Sequence, residues 1–395
     1  MHYEFPAIEG FDDVKGCIDP DFFIVKRDDR GIFVNYKYST TETFPLEKSW
    51  ESSVRREFRG ISFSVDGKLV NRKYHKFFNL DERPDVGVDS LDFSKKFWVL
   101  DKLDGSMITP FPYKGKLEMH TKMGATDVAA PVTSWVEDKK NYIDFMWEML
   151  NEGFTPIFEW ISPSNRIVID YEDTNLVLTA IRHNITGEYV RYDRMVEIAK
   201  SHAIPVVKAL NELVTDFDGL VRHIKNIEGS EGVVVRFDDG HMVKIKSEWY
   251  VRIHNAINNV TNEKKVIGMF LDGTLDDVIP YLPGDVKKEV EDFTGDYMKK
   301  VRDFVNKVWN IRNDIMSDID TDDVRGFRKA YAMSVNSKYK SLATFLFAAR
   351  DMKDISEMEE YIIDYTRKNL STNEKLNRLL KTIGARMMNR IVSLD

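Results

Sequence analysis

The first 250 residues contain many short stretches in which apolar and polar positions alternate with a period of two. This period is typical of β-strands, because successive side chains of a strand point to opposite faces of its sheet. Two stretches, 22–38 and 59–74, are interrupted by Asp-Arg-Gly and Asp-Gly and predict β-hairpins. The same pattern predicts two further hairpins around Asp-Gly turns, over 97–111 and over 231–250.

Helical spacing replaces this alternation in one internal segment and throughout the end of the chain. The internal segment, 129–153, predicts one helix that Gly153 ends. After residue 250 glycines are sparse, and Leu, Lys, Glu, Met and Arg recur at the spacing of helices. The last predicted helix, over 373–395, combines an apolar face (Leu376, Leu380, Ile383, Met387, Ile391) with basic residues elsewhere (Lys375, Arg378, Lys381, Arg386, Arg390).

The change of pattern near residue 250 predicts two domains, as expected for a chain of 395 residues. The fold class is α+β: an antiparallel-sheet domain over 1–253, followed by an all-helical domain over 254–395. The second domain has no run of alternating residues from which a small barrel of the OB type could be built.

Composition narrows the class of protein only slightly. A hydrophobic content of 43% and a charged content of 31% are ordinary for a globular protein. No apolar run is long enough for a membrane span, and the N-terminal residues lack the pattern of a secretory signal. Cys17 is the single cysteine, which excludes an internal disulfide and predicts a reducing, cytoplasmic location. The net charge of −8 means that a site for a polyanion must be a local basic cleft.

Several charged residues stand where a simple β-domain would not require them. Lys102 precedes an Asp-Gly turn, Glu159 lies in the apolar run PIFEWIS, and Glu231 opens the strand EGVVVRF. Lys244 and Lys246 alternate in VKIK, so both point to the same side of one strand. The remaining members of this set are Arg59, Lys76 and Lys122.

Each of these residues also has a simple structural interpretation. A lysine beside a turn is usually solvated, and a glutamate in an apolar strand is more often an edge residue that faces water. Two lysines at i and i+2 usually mark the polar face of a half-exposed strand. The order of the whole set along the chain therefore carries the functional hypothesis: K-x-D-G, a strand glutamate, E-G with apolar residues, then K-x-K.

That order resembles the covalent nucleotidyltransferases, which include ATP-dependent DNA and RNA ligases and mRNA capping enzymes. Five segments make the likeness more specific: RGISFSVDGKLVNRKYHKFFNLDE, DKLDGS, FEWISPSNRIVIDY, SEGVVVR and VKIKSEWY are similar to RNA ligase 1 of the T-even bacteriophages. The likeness is strong over about 55–250. It implies an ATP-grasp-like nucleotidyltransferase (ligase) domain and, without an OB domain, favours RNA ligase over DNA ligase.

The resemblance implies a role for each charged residue. Lys102 would attack the α-phosphorus of ATP and carry AMP, with Lys244 and Lys246 assisting catalysis and binding the phosphates. Glu159 would hold the ribose hydroxyls, and Glu231 would bind Mg²⁺, or alternatively Mn²⁺.

The other implied roles concern the phosphates, the loop and the base. Arg59 and Lys76 would hold the β- and γ-phosphates, and Lys122 would be a further phosphate or metal-site contact. Asp104 and Gly105 would shape the loop that presents Lys102. Leu178 and Val233 are candidate contacts of the adenine.

The implied substrate is RNA with 5′-phosphate and 3′-hydroxyl ends, such as a tRNA nicked during phage infection. An end-healing kinase/phosphatase is the expected partner, and the host cytoplasm is the expected location. The basic helix after residue 373 could hold RNA, although an amphipathic helix that packs its apolar face on the domain and solvates its basic face is the stronger explanation. Two alternatives stay open: a DNA ligase or capping-type enzyme with a divergent C-terminal domain, and a non-catalytic RNA-binding protein.

Overall fold

The computed structural model describes residues 5–213, 216–320 and 323–388. The chain divides into two compact units, one ending at Val251 and one beginning at Arg252. Within these described ranges, no helix combines the length and the apolar character that crossing a bilayer would require.

Three four-stranded sheets form the first unit. The strands are β1 Phe23–Arg27, β2 Ile32–Tyr36, β3 Arg59–Phe63, β4 Leu69–Asn71, β5 Phe78–Asn79, β6 Phe97–Asp101, β7 Ser106–Tyr113, β8 Lys116–His120, β9 Phe154–Ile161, β10 Asn175–His183, β11 Gly232–Phe237 and β12 Met242–Lys246. Sheet one has the order β1-β2-β3-β4, sheet two β10-β9-β7-β8, and sheet three β5-β12-β11-β6. Neighbouring strands are antiparallel, except that β5 runs parallel to β12.

Three of the four predicted hairpins are confirmed, since β1 pairs with β2, β3 with β4, and β11 with β12. The predicted hairpin over 97–111 is wrong. Strand β6 pairs with β11, whereas β7 pairs with β8 and β9. The Asp104-Gly105 segment therefore carries the chain from sheet three to sheet two. Alternation specifies which face of a strand is buried but not which strand lies beside it.

The predicted helix over 129–153 is two helices. The first unit contains α1 Phe11–Val14, α2 Trp50–Glu57, α3 Ala129–Glu137, α4 Lys140–Asn151, α5 Tyr192–Ser201 and α6 Phe217–Asn226. The backbone leaves the helical region at Lys139, where φ is −106° and ψ is 82°. A continuous helix would carry the buried stripe of Val132 and Val136 on to Lys139 and Lys140. The break allows a new stripe, which begins at Tyr142, to face the core.

Apolar clusters hold the sheets together. One cluster joins sheet one to a face of sheet three through Phe63, Val99, Val233 and other buried residues. A second packs α3, α4 and α5 on sheet two. A small third cluster, with Leu100 and Val177 among its members, contains residues from sheets two and three. Several of the functional residues described below, among them Lys102 and Glu159, lie on or directly beside the strands that contribute to this third cluster.

A buried ion cluster links helix α2 to the sheets. Both oxygens of the Glu57 carboxylate accept hydrogen bonds from Arg182, at 2.7 Å each, and Arg72 donates to Glu57 Oε2 at 3.1 Å. Burial raises the pKa of Glu57, but the two guanidinium groups outweigh burial and lower it to about 2. One carboxylate therefore connects α2, the segment after β4, and β10.

The described residues of the second unit form helices and no strands. Helix α7, Glu248–Asn259, spans the unit boundary and is followed by α8 Glu263–Asp272, α9 Gly284–Ser317, α10 Val324–Lys338, α11 Ala343–Ala349, α12 Ile355–Asn369 and α13 Asn373–Ile383. Helix α13 is shorter than predicted, because Gly384 adopts a left-handed conformation (φ 78°) that ends it. Leu376, Leu380 and Ile383 are buried, whereas Met387 is exposed. Arg390 and Ile391 lie outside the described residues.

Candidate active site

Lys102 directly follows β6 and is held by β11. Its main-chain N–H donates to the carbonyl oxygen of Gly232 at 2.9 Å, and Asp101 pairs with Val233. Glu231 directly precedes β11, so this register places the two side chains together. The Nζ of Lys102 lies 2.7 Å from Glu231 Oε1. The predicted nucleophile and the predicted metal-binding carboxylate are therefore an ion pair.

Glu231 also contacts the last residue of the neighbouring strand. Lys246 pairs with Gly232 across β11 and β12, and its Nζ lies 3.0 Å from the same Oε1. The Glu231 side chain is only 4% exposed, whereas Lys102 and Lys246 keep 22% and 28% of theirs exposed. The Glu231 carboxylate thus contacts two ammonium groups but neutralises the charge of only one.

Lys244 lies on β12 two residues before Lys246 and has no ion-pair partner among the described residues. It pairs with Val234, and its Nζ lies 4.8 Å from the centre of the Phe77 ring. Burial holds the pKa of Lys244 well below its ordinary value, and the nearby cations Lys76 and Arg59 lower it further. An anionic ligand beside Lys244 would favour its charged form.

Arg59, Lys76 and Lys122 meet around one tyrosine, Tyr36. The Nζ atoms of Lys76 and Lys122 lie 5.3 and 5.8 Å from the centre of the Tyr36 ring. Burial raises the pKa of the Tyr36 phenol, but Arg59, Lys76 and Lys122 together bring it below its ordinary value. Arg59 donates to the sulfur of Met107 at 3.3 Å. The three predicted phosphate-binding cations therefore form one basic group.

Sequence analysis missed Tyr36. It is the last residue of β2 and belongs to an alternating stretch, in which nothing distinguishes it from an ordinary strand tyrosine. Its significance depends on cations from β3, from the segment before β5 and from the segment after β8. Only the assembled sheets bring these segments together.

Glu159 lies on β9, paired with Met107 on one side and Val177 on the other. Its carboxyl group has no hydrogen-bond partner among the described residues. Burial raises the pKa of Glu159 to about 7, although Lys102 opposes the shift; Glu231 reinforces it. A half-buried carboxyl group without a protein partner is suited to accept hydrogen bonds from a ligand.

Asp104 is a buried anchor for the loop after Lys102. Its Oδ2 accepts hydrogen bonds from the N–H groups of Val168 and Ile169, at 2.8 and 2.7 Å. Its Oδ1 accepts from the hydroxyl of Tyr250 at 2.6 Å, and its own N–H donates to the hydroxyl of Tyr171 at 3.0 Å. The carboxylate therefore ties the loop to the 162–171 segment and to helix α7.

Gly105 permits the chain to pass close to β9. A Cβ atom at this position would lie 2.2 Å from the carbonyl oxygen of Trp160, which is closer than any side chain could approach. The predicted loop-shaping role of Asp104 and Gly105 thus has a geometric basis, although the loop joins two sheets and not two strands of one hairpin.

The candidate adenine contacts are Leu178 and Val233. Leu178 lies on the face of its sheet opposite Glu159, and Val233 lies on the face of its sheet opposite Lys244. Each is buried in an apolar cluster on the opposite face of its strand. Their neighbours Val177 and Val234 have the opposite orientation, and Val177 belongs to the small cluster of sheets two and three. The structure therefore contradicts the prediction that Leu178 and Val233 contact the adenine, because successive residues of a strand face opposite sides of its sheet.

The carboxyl groups near Lys102 meet the minimum requirement for magnesium. Among the described residues, no group of three or more His, Cys, Asp or Glu side chains is arranged to hold a metal ion. Mg²⁺ often takes only one or two carboxylates and completes its shell with water and substrate phosphate. Glu231 is an oxygen donor that fits this description. Glu159 is a second carboxyl group, close enough to Glu231 for their charges to interact.

Comparison with known proteins gives the family. The model of the RNA ligase family matches residues 57–250. A protein of Thermovibrio ammonificans assigned as an RNA ligase is 34% identical over 281 residues, covering 68% of this chain and 70% of that protein. RNA ligase 1 of bacteriophage TS2126 is 25% identical over 271 residues, covering 66% of each. An archaeal ATP-dependent RNA ligase structure has a TM-score of 0.44 at 14% identity, over 80% of this chain and 84% of that chain. From the family match and the Thermovibrio relative, this chain belongs to the RNA ligase family, as its sequence motifs predict.

Proposed function

We propose that this protein is an ATP-dependent RNA ligase that joins 5′-phosphate and 3′-hydroxyl RNA ends through a covalent lysyl-adenylate on Lys102. The observation that carries the proposal is the position of Lys102, whose Nζ lies 2.7 Å from Glu231, which also contacts Lys246. Membership of the RNA ligase family makes RNA the expected substrate.

The first step forms a bond between Lys102 Nζ and the α-phosphorus of ATP and breaks the bond to pyrophosphate. Before the attack, the ammonium group must release a proton to water and leave its ion pair with Glu231. Lys244 and Lys246 would stabilise the negative charge that develops on the phosphoryl oxygens.

The second and third steps use the same centre. The RNA 5′-phosphate attacks the α-phosphorus, so the P–N bond to Lys102 breaks and AMP passes to the RNA as a 5′-5′ pyrophosphate. The acceptor 3′-hydroxyl then attacks the RNA phosphorus, and AMP leaves. Because all three steps are phosphoryl transfers, the protein contributes mainly position and charge.

The basic group around Tyr36 would hold the β- and γ-phosphates of ATP. Three cations lie close to the Tyr36 ring: Arg59, Lys76 and Lys122. Among the described residues, no carboxylate forms an ion pair with any of them. Pyrophosphate would supply the missing negative charge and would be held opposite the attacking lysine, as in-line displacement requires.

Glu159 and Glu231 would bind the nucleoside and the metal. The Glu159 carboxyl, which has no hydrogen-bond partner in the part of the chain that the structure describes, would accept hydrogen bonds from the ribose hydroxyls. Glu231, with water and phosphate oxygens, would hold Mg²⁺ or Mn²⁺. A bound divalent cation would neutralise charge on the phosphates during transfer.

The first test is formation of the enzyme–adenylate. The purified protein, cleared of bound AMP with pyrophosphate, is incubated with α-labelled ATP and a divalent cation and analysed by denaturing electrophoresis. We expect acid-labile label on the wild type and on Lys116→Ala, an exposed lysine on β8, and none on Lys102→Ala. A parallel lane with labelled GTP separates this activity from that of a capping-type enzyme. An unlabelled wild type would contradict the proposal and favour a non-catalytic RNA-binding protein.

The RNA substrate is a second, separable part of the proposal. We propose nicked tRNA as the natural substrate and the helical unit as its recognition surface. Joining of a nicked tRNA, a linear RNA and a nicked DNA duplex would be compared at equal ends. Preference for the DNA duplex would favour the DNA ligase alternative.

An end-healing partner is the third part. A protein of Autographa californica nuclear polyhedrosis virus, assigned as a bifunctional polynucleotide kinase/RNA ligase, is 27% identical to this chain over 271 residues and carries further sequence, since the match covers 38% of it. The name of that relative joins two activities in one chain. We propose that a separate kinase/phosphatase prepares the RNA ends for this protein. RNA with 5′-hydroxyl ends should therefore be joined only after kinase treatment.

A further inference from the structure

A lysine that the mechanism does not use is buried behind the basic group around Tyr36. Lys73 follows β4 and is 2% exposed. Its Nζ donates to the carbonyl oxygen of Gly60 at 2.6 Å and to the hydroxyl of Ser62 at 3.1 Å. Among the described residues, no carboxylate forms an ion pair with it. Burial lowers the pKa of Lys73 to about 7.

The hydrogen bonds of Lys73 suit a neutral amine. The Ser62 hydroxyl donates to the same Gly60 carbonyl at 3.0 Å, which closes a triangle of Nζ, Oγ and the carbonyl oxygen. A neutral amine has two N–H donors, and the two acceptors of this triangle use both. A charged ammonium group would bring a third donor and a buried charge without a countercharge. Lys73 therefore acts as a polar clamp and not as an ion-pair partner.

The Gly60 carbonyl that Lys73 binds lies beside two residues proposed to bind phosphate, Arg59 and Lys122. Gly60 directly follows Arg59 and has a φ of +88°. A Cβ atom on Gly60 would lie 2.6 Å from the carbonyl oxygen and 2.7 Å from the Cα of Lys122. The main chains of Arg59-Gly60 and Lys122 are therefore in direct contact, and Lys73 bonds to the carbonyl at this point of contact.

On the side of Arg59 that faces β2, the Arg59-Gly60 peptide is held less firmly than the peptide of an ordinary strand residue. Arg59 pairs with Asn35 of β2, but the register shifts between Val34 and Asn35, beside Tyr36. A bulge locally disrupts the ladder of hydrogen bonds that would otherwise fix the start of β3. The Lys73 clamp supplies a replacement constraint from the buried side.

We propose that Lys73 is a positioning residue for the pyrophosphate end of ATP. It touches no substrate, and it acts by fixing the peptide that sets the distance between Arg59 and Lys122. The inference rests on the proposed function, in which those two residues hold the β- and γ-phosphates. Because these phosphates are present only in the first step, Lys73 should matter for adenylate formation and not for sealing of RNA that is already adenylated.

The test compares these two half-reactions in Lys73→Met, whose side chain has a similar length but no donor. Adenylate formation is measured at several ATP concentrations, and joining of pre-adenylated RNA is measured without ATP. We expect the KM for ATP to rise about tenfold, while joining of pre-adenylated RNA stays within about twofold of wild type. Lys116→Met serves as the control for replacing an exposed lysine.

A second variant guards against misfolding of the first. Ser62→Ala keeps Lys73 but removes one corner of the triangle, and it should raise the KM for ATP about threefold with the same selectivity. Parallel loss of both half-reactions in both variants would show a merely structural role and overturn the inference, as would an unchanged KM. Absence of adenylate on the wild type would instead refute the proposed function, so the two failures are distinguishable.

Discussion

Replacing Glu159 by glutamine should make the ligand-free protein more stable and, at the same time, inactive. Burial raises the pKa of the Glu159 carboxyl from 4.5 to about 7. A group whose pKa is higher in the folded state contributes its full stability below its unfolded pKa and loses it as the pH rises through the folded value. Above pH 7 the folded protein is therefore destabilised by an ionised, half-buried carboxylate that has no hydrogen-bond partner among the described residues.

The size of this effect follows from the two pKa values. A difference of about 2.5 pH units corresponds to about 3 kcal/mol at pH 8, and the same relation gives about 1 kcal/mol at pH 5.5. Glutamine has nearly the same volume and is neutral at every pH. The unfolding free energy of Glu159→Gln should thus exceed that of wild type by about these amounts, with the difference growing as the pH rises.

The assay is urea unfolding of nucleotide-free protein at pH 5.5 and pH 8, paired with adenylate formation. Glu137→Gln, at an exposed position at the end of α3, is the matched control and should change neither property. If Glu159→Gln were no more stable than wild type at pH 8, or equally stabilised at both pH values, the burial argument would be refuted. If it formed adenylate at the wild-type rate, Glu159 would have no role in holding the nucleoside.

Three further changes test the framework of the site. Gly105→Ala would place a methyl group 2.2 Å from the Trp160 carbonyl oxygen, so adenylate formation should fall at least about tenfold in a labelling assay, whereas Gly284→Ala, with open space around it, should not alter the rate. Asp104→Asn exchanges an acceptor of three hydrogen bonds for an amide that cannot accept all of them, and urea unfolding should show a loss of about 2–4 kcal/mol. Glu57→Gln removes the carboxylate that two buried guanidinium groups share and should cost about 3–5 kcal/mol. Because the pKa of Glu57 is lowered to about 2, its wild-type contribution is present above pH 4.5 and is lost as the pH falls toward 2; acid titration of the variant should lack this loss.

The predicted site residues were found because their chemistry is local in the sequence. Lys244 and Lys246 share a strand face by spacing alone, and the K-x-D-G and E-G motifs mark Lys102 and Glu231 without knowledge of the sheets. The structure brings these four residues together at the ends of β6, β11 and β12. Their predicted roles in catalysis stay predictions until adenylate formation is measured.

What sequence analysis missed depends on pairings between distant strands. The partner of β6 is β11 and not β7, and no turn motif encodes that choice. Tyr36 and Lys73 resemble ordinary strand residues until other segments supply the cations and the clamped carbonyl around them. The split of α3 from α4 was recoverable in principle, since a continuous helix would have turned Lys139 and Lys140 toward the core.

The pairing of early strands with late ones also governs when the site can form during synthesis. Asp101 of β6 pairs with Val233, and Phe78 of β5 pairs with Val243, so sheet three joins segments far apart in the chain. Such non-local contacts form slowly, because the entropic cost of closing a long loop comes before any stabilising contact has formed. A chain interrupted before residue 231 would leave β5 and β6 as open strand edges, which invite pairing with other chains. Rapid completion of translation past β12 should therefore determine how much of this protein escapes aggregation.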